Sequence, residues 1–476
     1  MSIRVVLCFL FVIGFSIYAW RNWFASLCVA IVMMAVLEHP DMPKGIGGIQ
    51  GLNPWNFLML NVLLAWRRHR QHEGEAWDMP RHIWWLLLAY AFVVCVSTAR
   101  LFADHDSIED FTWGYAISDY LVNCFKWVMP GLLLFDGCRT RRRVVLGLAC
   151  ILSVYFLLAV QVIKCMPLSY VAASGGELSL RANKVLSSNV GYHRVNLSMM
   201  LSGASWAALT TLALVSTRRN KALIIGLAAV IALGQALTGG RAGYVTWGLL
   251  GLILCVVRWR RLLPIIPLTL LAICIFLPGV RDRMLQGFGH QQGAVVTRND
   301  DYEMTSGRTL AWSYVIPKIW ESPVFGYGRA AMIRTGMFRK IMDDYGGGES
   351  FPHPHNAYLE LLLDNGFTGF LLVIPFYLAV IWHSFRVLLD RSDPVFAAVG
   401  GTACALVLAL LIAAMGSQSF YPREGSVGMW AAIGLMLRVA VERRRSRLED
   451  APLFGEPDEA SAIDPEENYG THEPAR

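Results

Sequence analysis

The sequence lacks a cysteine framework and any concentration of positive charge on one face. Its ten cysteines show neither disulfide nor metal-ligand spacing. Only Cys138 and Cys165 lie clearly outside apolar runs, on opposite sides of the membrane by the topology below, which excludes a disulfide-stapled domain and a cysteine metal centre. The formal charge of +7 is spread over several loops, so nucleic acid is excluded as a partner. The N-terminus also lacks a small-residue cleavage site, because its apolar stretch meets Trp20-Arg21-Asn22. It therefore reads as mature protein.

What the sequence has is hydrophobic length. Hydrophobic residues make up 55% of 476 positions, gathered in runs over about 5–20, 23–37, 53–66, 82–99, 120–135, 144–163, 195–216, 222–237, 242–257, 262–277, 367–385, 395–415 and 427–441. The pattern predicts an all-α polytopic membrane protein with about 12 transmembrane helices, twelve or thirteen in all. The first two runs are the weakest candidates, each shorter than the roughly 20 residues of a straight crossing, and can also be read as a re-entrant pair.

Positive charge sets the orientation. Arg67, Arg68 and Arg70; Arg139 and Arg141 to Arg143; Arg218, Arg219 and Lys221; Arg258, Arg260 and Arg261; and Arg443 to Arg445 with Arg447 fall on alternate loops, which are read as cytoplasmic. Segments 100–119, 164–194 and 279–356, and the turn 238–241, are then exported. This divides the chain into an N-terminal bundle (1–278), an exported helical loop (279–356), C-terminal membrane helices (357–441) and an acidic tail (442–476) that reads as disordered.

The most informative stretch is GGGESFPHPHNAYLELLLDNGFTG, residues 346–369. Pro352 and Pro354 delay helix formation until His355 or Asn356. Asn356 is a preferred N-cap, and the amides of a helix start attract anions. His355 then stands beside an anion site, either as a proton acceptor or simply in a local hydrogen bond. His353-Pro354-His355 supplies too few ligands for zinc.

Three arginines are candidates to join it. Arg241 follows the Gly239-Gly240 turn on the exported side, where Gly240, Ala242 and Gly243 leave room for a ligand. Arg308 falls in the first turn of a helix capped by Thr305 or Ser306 and interrupted by Pro317. Arg194 lies at the membrane surface. Each can also be read as snorkelling. Stretch 329–346 is basic and amphipathic, with Met332, Met337 and Ile341 on an apolar side suited to a membrane surface, and 346–348 reads as a hinge. Asp104 and Asp106 form a short acidic triplet that can hold a divalent cation or simply be solvated. Tyr421 and Arg423 occupy a last exported turn and carry weaker site signals. Guanidiniums holding a diphosphate beside a neutral histidine suit transfer from a membrane-anchored pyrophosphate donor.

These motifs, TGGRAG after a span, SGRTLAWSYVIPKIWESPVFGYG in the exported loop and HPHNAYLELLLDNGFTG entering the next span, together resemble the bacterial O-antigen ligases, whose core is shared with O-antigen polymerases and protein O-oligosaccharyltransferases. The resemblance implies a GT-C-like inner-membrane glycosyltransferase with a large periplasmic loop, acting at the periplasmic face. It implies transfer of O-antigen from undecaprenyl diphosphate to a sugar hydroxyl of the lipid A core, inverting and metal-independent, without a cofactor. The family's arginines match Arg241 and Arg308, and its histidine matches His355; Arg194 and Asn356 complete the expected diphosphate site. Gly240 departs from the small polar residue common before the motif arginine, which bears on the turn's geometry. A polymerase or protein O-glycosyltransferase would share the donor site. A lipid-linked sugar transporter would instead place charges at mid-membrane.

Overall fold

In lipid a backbone has no solvent to bond with, so a spanning segment must satisfy its own amides and carbonyls. Most of the apolar runs accordingly fold as single helices in the computed structural model, which describes residues 3–43, 45–46, 49–51, 53–73, 77–108, 111–167, 169, 175–285, 308–344, 351–416, 418–449 and 453–454. In order they are α1 (Ile3–Tyr18), α2 (Trp23–Leu37), α3 (Pro54–Glu73), α4 (Arg81–Ala103), α5 (Met129–Gly137), α6 (Arg141–Cys165), α7 (Gly175–Asn189), α8 (Arg194–Thr210), α9 (Arg218–Leu237), α10 (Arg241–Val257), α11 (Ile265–Phe276), α12 (Pro278–Leu285), α13 (Arg308–Glu321), α14 (Met337–Asp344), α15 (Ala357–Leu389), α16 (Pro394–Ala413) and α17 (Val427–Glu449). A two-residue ribbon, Gly45–Ile46 with Ile49–Gln50, is the β-structure among the described residues.

The chain is an all-α polytopic membrane protein. Seven helices among the described residues are long and apolar enough to cross a membrane, and three shorter apolar ones lie at Val5–Tyr18, Trp23–Leu37 and Arg241–Val257. Twelve or thirteen crossings would require the short and broken segments to cross as well. The run at 120–135 is divided, with turns at Trp127 and Val128 before α5. Helix starts follow their caps: Thr140 accepts from Arg143 N, Thr217 from Asn220 N and Asp393 from Val395 N, each satisfying an otherwise orphaned amide. The centre of the bundle is the α8–α16 pair, where Gly203 lets the two backbones approach; a Cβ there would stand 2.9 Å from that of Ala409.

The arginine-rich loops meet at one end of the bundle. There Arg438 is fully buried, donating to both Asp78 oxygens at 2.6 Å and to Phe135 O at 2.6 Å. Asp136 holds Arg70 and Arg139, Arg141 pairs with Asp393, and Asp390 pairs with Arg443 and Arg447. α17 carries this end to Glu449, and nearly all of the acidic tail beyond it lies outside the described residues.

The other end carries the large loop. Its helices do not use their apolar side on a membrane surface: Met332, Met337 and Ile341 bury into a small core with Val315, Ile319, Phe351 and Leu363, because α13 and α15 offer a closer apolar face. The expected cap at Thr305 or Ser306 and the 346–348 hinge lie outside the described residues.

α15 is two helices in one line. Gly366 has φ 62° and ψ −167°, a region essentially restricted to glycine. The break frees backbone groups, and segment 323–328 satisfies them: Phe367 N donates to Pro323 O (2.7 Å), Thr368 N to Val324 O (3.1 Å), Tyr327 N to Leu363 O (2.9 Å) and Gly328 N to Asp364 O (2.6 Å). The large loop is thereby laced to the membrane helix just below His355.

Candidate functional site

The site begins at the turn between α9 and α10. Gly239 has φ 63°, the left-handed conformation glycine adopts without cost, and this aims its carbonyl at two guanidiniums. Arg194 Nη1, at the start of α8, donates to it at 3.1 Å and Arg283 Nε, on α12, at 3.2 Å. Arg241 opens α10 as expected. Gly240 and Gly243 do not leave ligand space, however: a Cβ on Gly240 would meet Ser198 Oγ at 2.6 Å, and one on Gly243 would collide with the same hydroxyl. They let α10 pack on α8, and Ser198 fills the gap.

Arg308 is the first residue of α13. Its Nη1 reaches over Gly416, where an added Cβ would lie 3.3 Å from that nitrogen and 2.9 Å from Ala242 Cβ, so Arg308 enters the neighbourhood of α10's first turn. Burial, then the charges of Arg241 and Arg194, lower its pKa. Arg283 is 8% exposed, and burial with the charges of Arg194 and Arg241 pushes it down to about 10, so it remains charged at neutral pH. Arg194 and Arg241 thus act electrostatically on both Arg283 and Arg308. Arg194 Nε is buried with no hydrogen-bond partner among the described residues, an orphaned donor of the kind a bound anion would satisfy.

His355 caps the approach. It has φ 52°, one of two non-glycine residues with positive φ among those described, a conformation that is rare and concentrated at functional sites. Trp312 Nε1 of α13 donates to Pro354 O at 2.9 Å, and His355 N donates to His353 Nδ1 at 3.3 Å. The two imidazoles stand 4.1 Å apart, ring centre to ring centre. Desolvation, reinforced by His353, Arg308 and His193, pushes the His355 pKa down to about 3, so the ring is neutral. Asn356 is the N-cap of α15, its Oδ1 accepting from Tyr358 N (3.0 Å) and Leu359 N (3.3 Å). Its side chain is therefore occupied by the helix start.

Two features were not readable from motifs. Arg283 carries no motif of its own; α12 is brought in by packing on α7, where a Cβ on Gly175 would lie 2.5 Å from Arg283 N. Tyr421 proves to be the centre of a buried lock. Its hydroxyl lies 3.0 Å from Asp364 Oδ2, accepts from Asn365 Nδ2 at 2.7 Å and lies 3.1 Å from Ser97 Oγ. The buried guanidinium of Arg329 sits 3.3 Å over its ring. The lock ties α4, α15, the large loop and the last turn together, which fixes the ground under His355. Asp104 pairs with Arg334 at 2.6 Å, which competes with any cation, whereas Asp106 is exposed beside His105. No group of three metal-type ligands occurs among the described residues.

Comparison with known proteins adds a family match over part of the chain. Residues 226–374 match the model of a family described as O-Antigen ligase. The matched region contains Arg241, Arg283, Arg308, His355 and Asn356. The chain is also similar to a Rickettsia conorii protein named "Putative polysaccharide ligase", 36% identical over 70 residues, 14% of this chain and 17% of the relative. The match thus spans about a sixth of that protein's length.

Proposed function

We propose that this chain, whose residues 226–374 match the O-antigen ligase family, is a membrane glycosyltransferase of GT-C type that moves O-antigen from undecaprenyl diphosphate to a sugar hydroxyl of the lipid A core. The observation that carries this reading is the convergence of Arg194, Arg241, Arg283 and Arg308 beside a neutral His355. The orientation follows from charge: the arginine-rich end is cytoplasmic by the positive-inside rule, so the cluster faces the periplasm of an inner-membrane protein. The domain division at 278, 356 and 441 belongs to the same reading.

In the reaction, the acceptor hydroxyl attacks the anomeric carbon, a new C–O bond forms, and the bond from that carbon to the diphosphate breaks with inversion. The leaving diphosphate gathers negative charge. Guanidiniums grip its oxygens in bidentate fashion, and the amides at the α15 start, which Asn356 holds in place, add partial positive charge. Losing one such donor typically costs about 10² to 10³ in rate. A histidine with a pKa near 3 is a weak base, so His355 orients the hydroxyl by accepting its hydrogen bond and takes the proton late, as the C–O bond forms. Arginine stabilises the leaving group without a metal.

The test is a parallel assay. The purified chain is given a lipid-diphosphate glycan with lipid A core, a second lipid-linked glycan or a protein as acceptor. Transfer to lipid A core supports the proposal; transfer to the second glycan or to protein only would make the chain a polymerase or a protein glycosyltransferase.

A further inference from the structure

A groove at the far end of α15 carries chemistry that the transfer reaction does not use. α15 begins beside His355 and runs 33 residues to Leu389, so Arg386 lies roughly 45 Å along the helix from the arginine–histidine cluster. There α4, α15 and α17 enclose a cavity of about 640 Å³ lined by His82, His383, Arg386, Arg443, Arg444 and Arg447. Asp390 pairs with Arg443 and Arg447. Arg386 and Arg444 are exposed, with no carboxylate partner among the described residues. Four guanidiniums against one carboxylate leave a local charge of about +3, since arginine stays ionised and carboxylates titrate near 4. His82 and His383 stack at the mouth, with their Nε2 atoms 3.1 Å apart.

The remaining wall is apolar and turned outward. Trp382 is 62% exposed and Leu448 72% exposed; Leu378, outside the lining but one turn before Trp382 on the same face of α15, continues the apolar surface at 60% exposure. Soluble phosphate has no use for such a wall, whereas acyl chains would cover it. Basic pockets between membrane helices next to an apolar face are suited to anionic headgroups.

We propose that this groove binds one anionic phospholipid, with its phosphodiester headgroup held by Arg386 and Arg444 and its acyl chains lying along Trp382 and Leu378. Asp390 keeps Arg443 and Arg447 in place at the rim, so Arg386, whose guanidinium lies over the Trp382 ring, and Arg444 are the ones without a carboxylate and left to take the phosphate.

The experiment measures lipid binding to the purified full chain in detergent, by native mass spectrometry, with phosphatidylglycerol, phosphatidylcholine and inorganic phosphate as separate probes. Phosphatidylglycerol should bind and phosphatidylcholine should bind much more weakly. Replacing both of these arginines, R386Q with R444Q, should weaken phosphatidylglycerol about 30-fold through the loss of two cations near the headgroup. R386K with R444K keeps the charge and should retain most of the binding. Unchanged phosphatidylglycerol affinity in the glutamine variant, equal affinity for phosphatidylcholine, or inorganic phosphate displacing the lipid at equal concentration would each overturn the proposal. Because the readout is binding in detergent, it stands or falls independently of the transferase reading.

Discussion

Gly366 is where the fold and the candidate site meet, and its replacement by alanine tests both. An alanine there must hold φ 62° and ψ −167°, a conformation that costs a non-glycine residue about 1 to 3 kcal/mol. Its Cβ would also collide with the Val324 carbonyl and come within 2.6 Å of Phe325 N. Both contacts are backbone, so neither yields by a rotamer change, and relief requires segment 323–328 to move away from α15. That movement stretches the four hydrogen bonds lacing the two together, each worth about 1 kcal/mol net. With the stretched bonds keeping about half of their worth, a loss of about 2 kcal/mol, and the backbone strain adding about 1 to 3, the expected loss is about 3 to 5 kcal/mol. Thermal unfolding of the purified variant should show it, along with faster proteolysis of the large loop and weaker transfer. Gly226, on α9 with nothing within 4 Å of an added Cβ, supplies the control, where alanine should be neutral or stabilising by up to about 1 kcal/mol. A Gly366→Ala variant as stable as its Gly226→Ala counterpart would refute the account of the broken helix.

Arg308→Lys keeps a charge but loses the planar fork, and donor affinity should fall about tenfold or more, measured by binding of a lipid diphosphate; unchanged affinity would argue against a bidentate grip. For His355, the folded pKa of about 3 lies below the ordinary value near 6.5. The unfolded chain takes up this proton first, so the stability from keeping the ring neutral is present above about pH 6.5 and is lost as pH falls from there towards 3. Transfer rates should correspondingly show no His355 inflection near pH 6.5. Tyr421→Phe removes the hydroxyl that Asp364 and Asn365 share, and should destabilise by about 1 to 3 kcal/mol and expose segment 323–344 to protease.

Local signals reached much of the site from the sequence. Two prolines and a capping asparagine located the start of α15 to within a residue, a double glycine located the start of α10, and Arg308 was assigned to the first turn of α13. Such signals depend on neighbours in the chain. Long-range packing hid the rest: Arg283 owes its place to α12 lying on α7, and Tyr421 owes its role to meeting Asp364 and Arg329 across the bundle. Gly366 was invisible for a related reason. A glycine within an apolar run is tolerated in many helices, and only the backbone of segment 323–328 reveals that this one breaks the line. The same packing reassigned Gly240 and Gly243 from ligand space to helix contact.

The proposed reaction has the arginine cluster hold the diphosphate while His355 serves the acceptor hydroxyl. It is tested most directly by comparing purified His355→Ala with the parent chain, each shown to be folded, for both binding of a lipid-diphosphate glycan and its transfer. Donor affinity should stay within about twofold of the parent, since His355 lies outside the guanidinium grip, and transfer should slow about 100-fold, at the lower end of general-base contributions for so weak a base. Transfer near the parent rate, or a collapse of donor binding that accounts for the whole loss, would contradict it.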